Sequence, residues 1–216
     1  KEDMSKAVHS SIALTALPSV VFTVAGMLFT KPLLRAIGVP EEVLPHSSLY
    51  LTIYFAGMTF SLFYNMGSGI LRAVGDSRHP LIYLAVASLV NIALDFLFVC
   101  GFHMGIAGVA IATIIAQAVS SAMVMYKLMH TQEDYKLELR KIHFHKKMVK
   151  KIIAFGFPAA LQQSITSFSN VIVQSYINRF GATAMAGYSA AIRIDGFLQL
   201  PLQSFNMAIT TFVGQN

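Results

Sequence analysis

The 216-residue chain is 55% hydrophobic and only 12% charged, with a mean hydropathy of +0.61; soluble domains carry about 25% charged residues, so an ordinary soluble globular domain is excluded and a polytopic membrane protein is indicated. The net charge of +6 does not imply a nucleic-acid partner, because half of the basic residues fall in one stretch, 127–151, between apolar segments. There Lys127, Lys136, Arg140, Lys141, Lys146, Lys147, Lys150 and Lys151 stand against Glu133, Asp134 and Glu138, a net of +5.

A membrane-spanning helix needs about 20 apolar residues, and six segments of the chain qualify. The first, 8–30, lies between Lys6 and Lys31. The second, 47–72, ends at Arg72. The third, 80–102, opens on Pro80, a residue suited to a first helical turn. The fourth, 105–129, follows the short Gly101–Gly105 connection. The fifth is 152–178 and the sixth 184–212. Proline and glycine punctuate the connections at Gly38-Val39-Pro40 and Gly75-Asp76. The basic stretch marks a cytoplasmic face by the positive-inside rule and suits contact with anionic lipid. Counting back, Arg72–His79 is also cytoplasmic. The Lys31–His46 loop, where Lys31 and Arg35 balance Glu41 and Glu42, is external, as is Gly101–Gly105 with its single His103. The expected organisation is four helices in 1–130, a basic cytoplasmic loop in 131–150 and two further helices in 151–216. Cys100 is the only cysteine, so no intrachain disulfide forms. No signal peptide is visible. A chain that starts on Lys1 and stops on Asn216 without a polar tail is expected to be a piece of a longer protein.

Asp95 is the most informative residue. It is the only Asp, Glu, Lys or Arg between His79 and Lys127, and a carboxylate at a helix centre costs roughly 2.5–3.5 kcal/mol to insert even on lenient scales. Asn91 lies four residues earlier, on the same helical face. The third and fourth segments form a hairpin, which brings Thr113 to a depth similar to that of Asp95. Asn65, in the second segment, lies about as far from the cytoplasmic turn as Asn91. Carboxylate, amide and hydroxyl oxygens suit a hard monovalent cation such as Na+ at Asp95, Asn91 and Thr113; alternatively the acid carries a proton. The competing interpretation is a hydrogen-bonded cluster that only holds helices together. Gly108, Ala112, Ala116 and Ser120 recur every four residues and form a small-residue packing stripe, while Gln117 follows Thr113 by one turn.

The fifth segment is unusually polar. Gln163, Ser167, Asn170, Gln174 and Asn178 fall on one helical face, which either lines a cavity or bonds to a neighbour. Pro158 is expected to kink it. In the sixth segment Arg193 and Asp195 point away from each other, each toward a partner on another helix or toward water, and Asp195, Gln199 and Asn206 share a broad face. No Walker loop, Gly-x-Ser-x-Gly or HExxH pattern occurs. The histidines are scattered, and His143 and His145 in the basic loop read as solvated, so the expectation is a non-enzyme without cofactor.

Several stretches carry a resemblance to a known family: YFAGMTFSLFYNMGSGILRAVGDSRHPL at 54–81, NIALD at 91–95, GIAGVAIATIIAQ at 105–117, GFPAALQQSITSFSN at 156–170 and GATAMAGYSAAIRIDGF at 181–197. Together they resemble the multidrug and toxic compound extrusion (MATE) transporters over essentially the whole chain. The resemblance implies an all-α transporter of twelve helices in two lobes, with this chain supplying helices three to eight. The first four helices would belong to the amino-terminal lobe, the basic loop would link the lobes, and the last two would open the carboxy-terminal lobe. It implies export of small cationic, amphipathic drugs or metabolites in exchange for Na+ or H+, from a cavity between lobes, by a full-length monomer in the bacterial inner membrane. By resemblance Asn91, Asp95, Thr113 and Asn65 match a family cation or proton site, which also uses an acid on a first helix that this chain lacks. The seventh-helix acid of some members is absent from Gln162–Ser167, which leaves Asp195 as the second-lobe acid the resemblance points to. The cargo contacts expected on this basis are Gln163, Ser167, Asn170, Gln174 and Asp195. The rival expectations are a lipid-linked oligosaccharide flippase of the same superfamily, disfavoured because Arg193 is the only deep basic residue, and a non-transporting membrane scaffold.

Overall fold

The structure is a computed structural model that describes residues 2–36, 41, 44–142, 144–178, 180 and 182–215. Gly38–Pro40, Glu42, His143 and the side chain of Asn178 lie outside the described residues. Helices account for nearly all of the described chain, and no strand occurs among the described residues. They are α1 (Glu2–Ala36), α2 (Leu44–Ala56), α3 (Met58–Ala73), α4 (Arg78–Asp95), a π-helical turn (Phe96–Gly101), α5 (Gly105–His130), a 3-10 turn (Leu139–Lys141), α6 (Lys146–Asn178) and α7 (Ala182–Gln215). The chain divides into two compact units, 1–149 and 150–216.

In the first unit α5 is the central element. It packs on α2, α3 and α4, and α1 closes over α2 and α3. The small-residue stripe explains this. Gly108, Ala112, Ala116 and Ser120 are all buried, and the same row continues through Val124 and Leu128. Small side chains let helix backbones approach closely where lipid supplies no hydrophobic drive. At Gly67 of α3 a Cβ atom would run into Val124 of α5, and at Gly57 into Ile114.

Three described helices are long and apolar enough to cross a membrane: Met4–Ala36, Arg78–Gly101 and Gly105–His130. The expected second segment is not one helix. It is interrupted at Gly57, whose amide bonds back to Tyr54 and Ile53 carbonyls at 3.1 and 3.3 Å, leaving α2 and α3 of 13 and 16 residues. The third segment is also modified. After Asp95 the helix widens into the π turn, with the Phe102 amide reaching the Leu97 carbonyl at 3.0 Å. His103 and Gly105 then turn the chain with φ of 53° and 55°. Large apolar side chains such as Leu17, Leu28, Leu81, Leu89 and Phe96 are more than half exposed, as befits surfaces that meet lipid.

The hydrophobic core of this unit sits at one end. Val8 and Ile12 of α1, Leu71 of α3, Val124 and Leu128 of α5, and Tyr135 and Leu137 of the basic stretch form one cluster. The basic stretch is therefore not a free loop. The Leu137 amide bonds the Leu128 carbonyl at 2.8 Å, and residues from Lys146 onward are already helical. His9 is 2% exposed. Its Nδ1–H donates to the Ser5 carbonyl at 2.7 Å, and its Nε2 accepts from the Glu138 amide at 3.0 Å. His145, expected to be solvated, instead pairs with Ser10 of α1: the two meet through Ser10 Oγ and His145 Nδ1 at 3.2 Å, and the His145 amide donates to Ser10 Oγ at 3.2 Å. A buried α1 face rich in serine and histidine explains this, since those groups need polar partners.

The Leu71–Asp76 motif reads as a helix stop followed by a helix start. Gly75, with φ of 90°, allows the Asp76 amide to reach the Leu71 carbonyl at 2.8 Å and the Gly75 amide to reach Arg72 at 3.0 Å, the paired bonds of a Schellman stop. Asp76 then receives the His79 backbone N–H at 3.2 Å and the His79 ring Nδ1–H at 2.6–2.8 Å. An acid at a helix start satisfies orphan amides.

In the second unit α6 and α7 leave nearly all their described side chains exposed. Pro158 lies inside α6 and Pro201 inside α7, and each helix continues through its proline.

Candidate functional site

Three of the four residues expected to hold a coupling ion line one cavity of about 310 Å³ in the first unit. They are Asn65 from α3, Asn91 from α4 and Thr113 from α5, joined by Ser88 and Gln117. The antiparallel run of α4 and α5 accounts for the convergence. Residues at matching distances from the Gly101–Gly105 turn come to the same depth, and the buried stripe brings α5 close enough to α3 for Asn65 to take part.

The hydrogen bonding leaves acceptor atoms free. The Asn65 amide donates its Nδ2–H to the Ser61 carbonyl at 2.8 Å, which leaves its Oδ1 available. The Thr113 hydroxyl donates to the Val109 carbonyl at 2.9 Å, so its lone pairs remain. At the inner end the Tyr64 hydroxyl, also lining the cavity, donates to the Pro80 carbonyl at 3.1 Å and ties α3 to the first turn of α4. Asp95 is not among the cavity-lining residues. It ends α4, one turn beyond Asn91, where the helix becomes π-helical; single-turn π segments often accompany functional sites.

Buried polar atoms mark the same region. Asn91 Nδ2, Asp95 Oδ1 and Gln117 Oε1 have no hydrogen-bond partner among the described residues. A buried unpaired group costs about 1–3 kcal/mol, so a cluster of such groups beside a polar cavity calls for a ligand. The unpaired oxygens, Asp95 Oδ1 and Gln117 Oε1, fit a hard cation, and the carboxylate also fits a proton, whereas Asn91 Nδ2 is a donor that only an acceptor satisfies. Among the described residues no three His, Cys, Asp or Glu side chains gather into a metal-binding group.

The α6 residues are placed differently. Gln163 and Ser167 line a groove of about 560 Å³ with Ala160, Ser164, Phe168 and Val171, all of α6. Asn170 is exposed and Gln174 half-buried. Asp195 is exposed, and Gln199 Nε2, one turn along α7, donates to Asp195 Oδ2 at 3.3 Å. An amide four residues from an acid is on the same face and reaches it without a second helix. Arg193 is exposed.

Three contributors were not singled out as site residues from the sequence, Ser88 among them. Gln117 carried only the signal of its spacing from Thr113. Tyr64 carried none, because its partner carbonyl belongs to a different helix.

The family model MatE matches residues 1–97 and 158–216. A curated relative, the Probable multidrug resistance protein YpnP of Bacillus subtilis, is 31% identical over 99% of this chain and 47% of its own length. The FAD transporter of Shewanella oneidensis is 24% identical over 96% of this chain and 47% of its own length. Among solved structures, a crystal structure of MATE in the bent conformation superposes with a TM-score of 0.85 at 28% identity, covering 96% of this chain and 47% of that one. The chain thus spans about half the length of the curated relatives it matches.

Proposed function

This chain belongs to the MatE family of membrane transporters, and we propose that it is the helix-three-to-eight portion of a secondary antiporter that exports small cationic, amphipathic compounds in exchange for Na+ or H+. The observation that carries this reading is the convergence of Asn65, Asn91 and Thr113 on one cavity, with the buried, unpaired Asp95 Oδ1 one turn beyond. A carboxylate held at a membrane's interior is stable only with a counter-charge or a proton. Asp95 therefore exchanges between an ion-loaded neutral state and a charged state that must find another partner. The neutral oxygens around it lower the desolvation penalty of the ion without adding charge. Cycling between those states is what a transporter needs to link ion entry to cargo exit.

For the cargo, the groove of α6 offers amide and hydroxyl groups flanked by Phe168, and the helix carries no charged residue from Ile152 to Asn178. Such a surface suits amphipathic molecules, which need apolar contact with a few polar anchors. Leucine at Ser167 or phenylalanine at Asn170 should change which compounds are exported while membrane expression stays at the wild-type level; failure of both variants to insert would point to helix packing instead. In this reading the full-length protein works as a monomer in the bacterial inner membrane, with the basic end toward the cytoplasm.

The coupling role is tested in the full-length transporter. Asp95→Asn keeps size and hydrogen bonding but removes charge and titration. It should abolish efflux driven by either a Na+ or a proton gradient while the protein remains in the membrane. Wild-type efflux at equal expression would return Asp95 to a structural role.

A further inference from the structure

The cavity contains more oxygen ligands than a proton requires. A proton is held by one carboxylate, whereas a metal cation stripped of water needs several oxygens at once. Gln117 supplies the extra one. It follows Thr113 by four residues on α5 and so shares its face. It lines the same cavity as Asn65, Asn91 and Thr113. Its Oε1 is buried and without a hydrogen-bond partner among the described residues. By helix register Gln117 lies about opposite Ser88 of α4, one turn nearer the basic end than Thr113, and Ser88 lines the cavity as well.

We propose that Gln117 is the ion-selecting residue of this site: its amide oxygen joins the amide oxygens of Asn65 and Asn91 and the hydroxyl oxygen of Thr113 around a desolvated monovalent metal cation of Na+ type, and it has no part in carrying a proton. This rests on the reading of Asp95 as the coupling acid. The bound cation takes up the orphaned Gln117 oxygen and offsets the charge of Asp95, one turn beyond Asn91. The consequence is a division of labour. Asp95 serves either ion, whereas Gln117 serves the metal ion only.

The experiment uses the full-length transporter in proteoliposomes and measures efflux against Na+ concentration at fixed pH, then against a proton gradient in Na+-free buffer with K+ as the balancing ion. Gln117→Met removes the oxygen at nearly constant volume, Gln117→Glu restores an oxygen with charge, and Asp95→Asn is the reference. Gln117→Met should raise the Na+ concentration for half-maximal efflux about tenfold, the scale of losing one group that supports a bound metal, while proton-driven efflux stays within about twofold of wild type. Gln117→Glu should keep that Na+ concentration at or below the wild-type value. Unchanged Na+ dependence in Gln117→Met, or a wild type driven by protons alone, would overturn the role of Gln117 and leave that of Asp95 standing. Wild-type behaviour of Asp95→Asn would instead remove the coupling-site reading itself. Should Gln117→Met fail to reach the membrane, Gln117→Glu decides: Na+ dependence weaker than wild type by fivefold or more contradicts a ligand oxygen at this position, and dependence at or below wild type supports it.

Discussion

Asp76 ends α3 with its backbone amide and opens α4 with its carboxylate. Burial opposes its ionisation, but the hydrogen bonds from the His79 ring and backbone amide outweigh that, helped by the positive charge of His79 and of Lys127, and hold the carboxyl below its ordinary 3.8. A folded-state value below the unfolded one means the ionised form stabilises the fold. That stabilisation is fully present above about pH 4 and fades as pH falls from 3.8 through the folded value. Asp76→Ala should therefore cost about 1–2 kcal/mol near pH 7, the scale of a lost helix cap. The gap from wild type should close as the pH of a detergent thermal-unfolding series falls below 3.8; a pH-independent gap would mean that the side chain acts through packing alone. At this scale the sequence was informative where a single residue broke a pattern. Asp95 stands out as the only acid in a long apolar run. His9 does not, because its partner Glu138 lies 129 positions away, and an orphaned amide oxygen such as that of Gln117 becomes visible only when its surroundings are known.

Helix contacts in the first unit depend on the absence of side chains. Gly67 meets Val124 so closely that a methyl group has no room, whereas Gly69, two residues on, faces open space. Gly67→Ala should destabilise the transporter by about 1–3 kcal/mol through overpacking. Gly69→Ala should be neutral or raise stability slightly by helix propensity. Thermal unfolding of the two variants side by side checks this, and equal shifts would contradict the close approach of α3 and α5. The periodicity of small residues on α5 was legible because a four-residue repeat survives in the sequence. The interruption at Gly57 was not, since apolar residues run through it and one glycine does not announce a break. The π turn after Asp95 left no mark either, because one extra residue per turn is absorbed within an unbroken apolar run.

On the scale of the whole molecule, charge and depth are sorted together. Val8, Leu71, Leu128 and Leu137 gather at one end, the end that also carries Arg72, Arg78, Lys127 and the basic stretch. In a full-length protein whose native cysteines, Cys100 included, have been replaced by serine, a cysteine at Lys147 should resist a membrane-impermeant thiol reagent applied to intact cells, and one at Glu41 should react; labelling at Lys147 alone would invert the orientation. Composition and loop charge were enough to expect a helical membrane bundle, because the bilayer permits few alternatives. The convergence of Asn65, Asn91 and Thr113 needed the three-dimensional packing, since three helices must each bring one residue to the same depth. The central claim is that Asp95 couples ion movement to cargo export, and uphill transport tests it most directly. Proteoliposomes holding the full-length Asp95→Asn transporter should bind a cationic cargo with an affinity within about threefold of wild type, yet show no accumulation of it against its gradient under either a Na+ or a proton gradient. Accumulation at the wild-type level under either gradient would contradict the account.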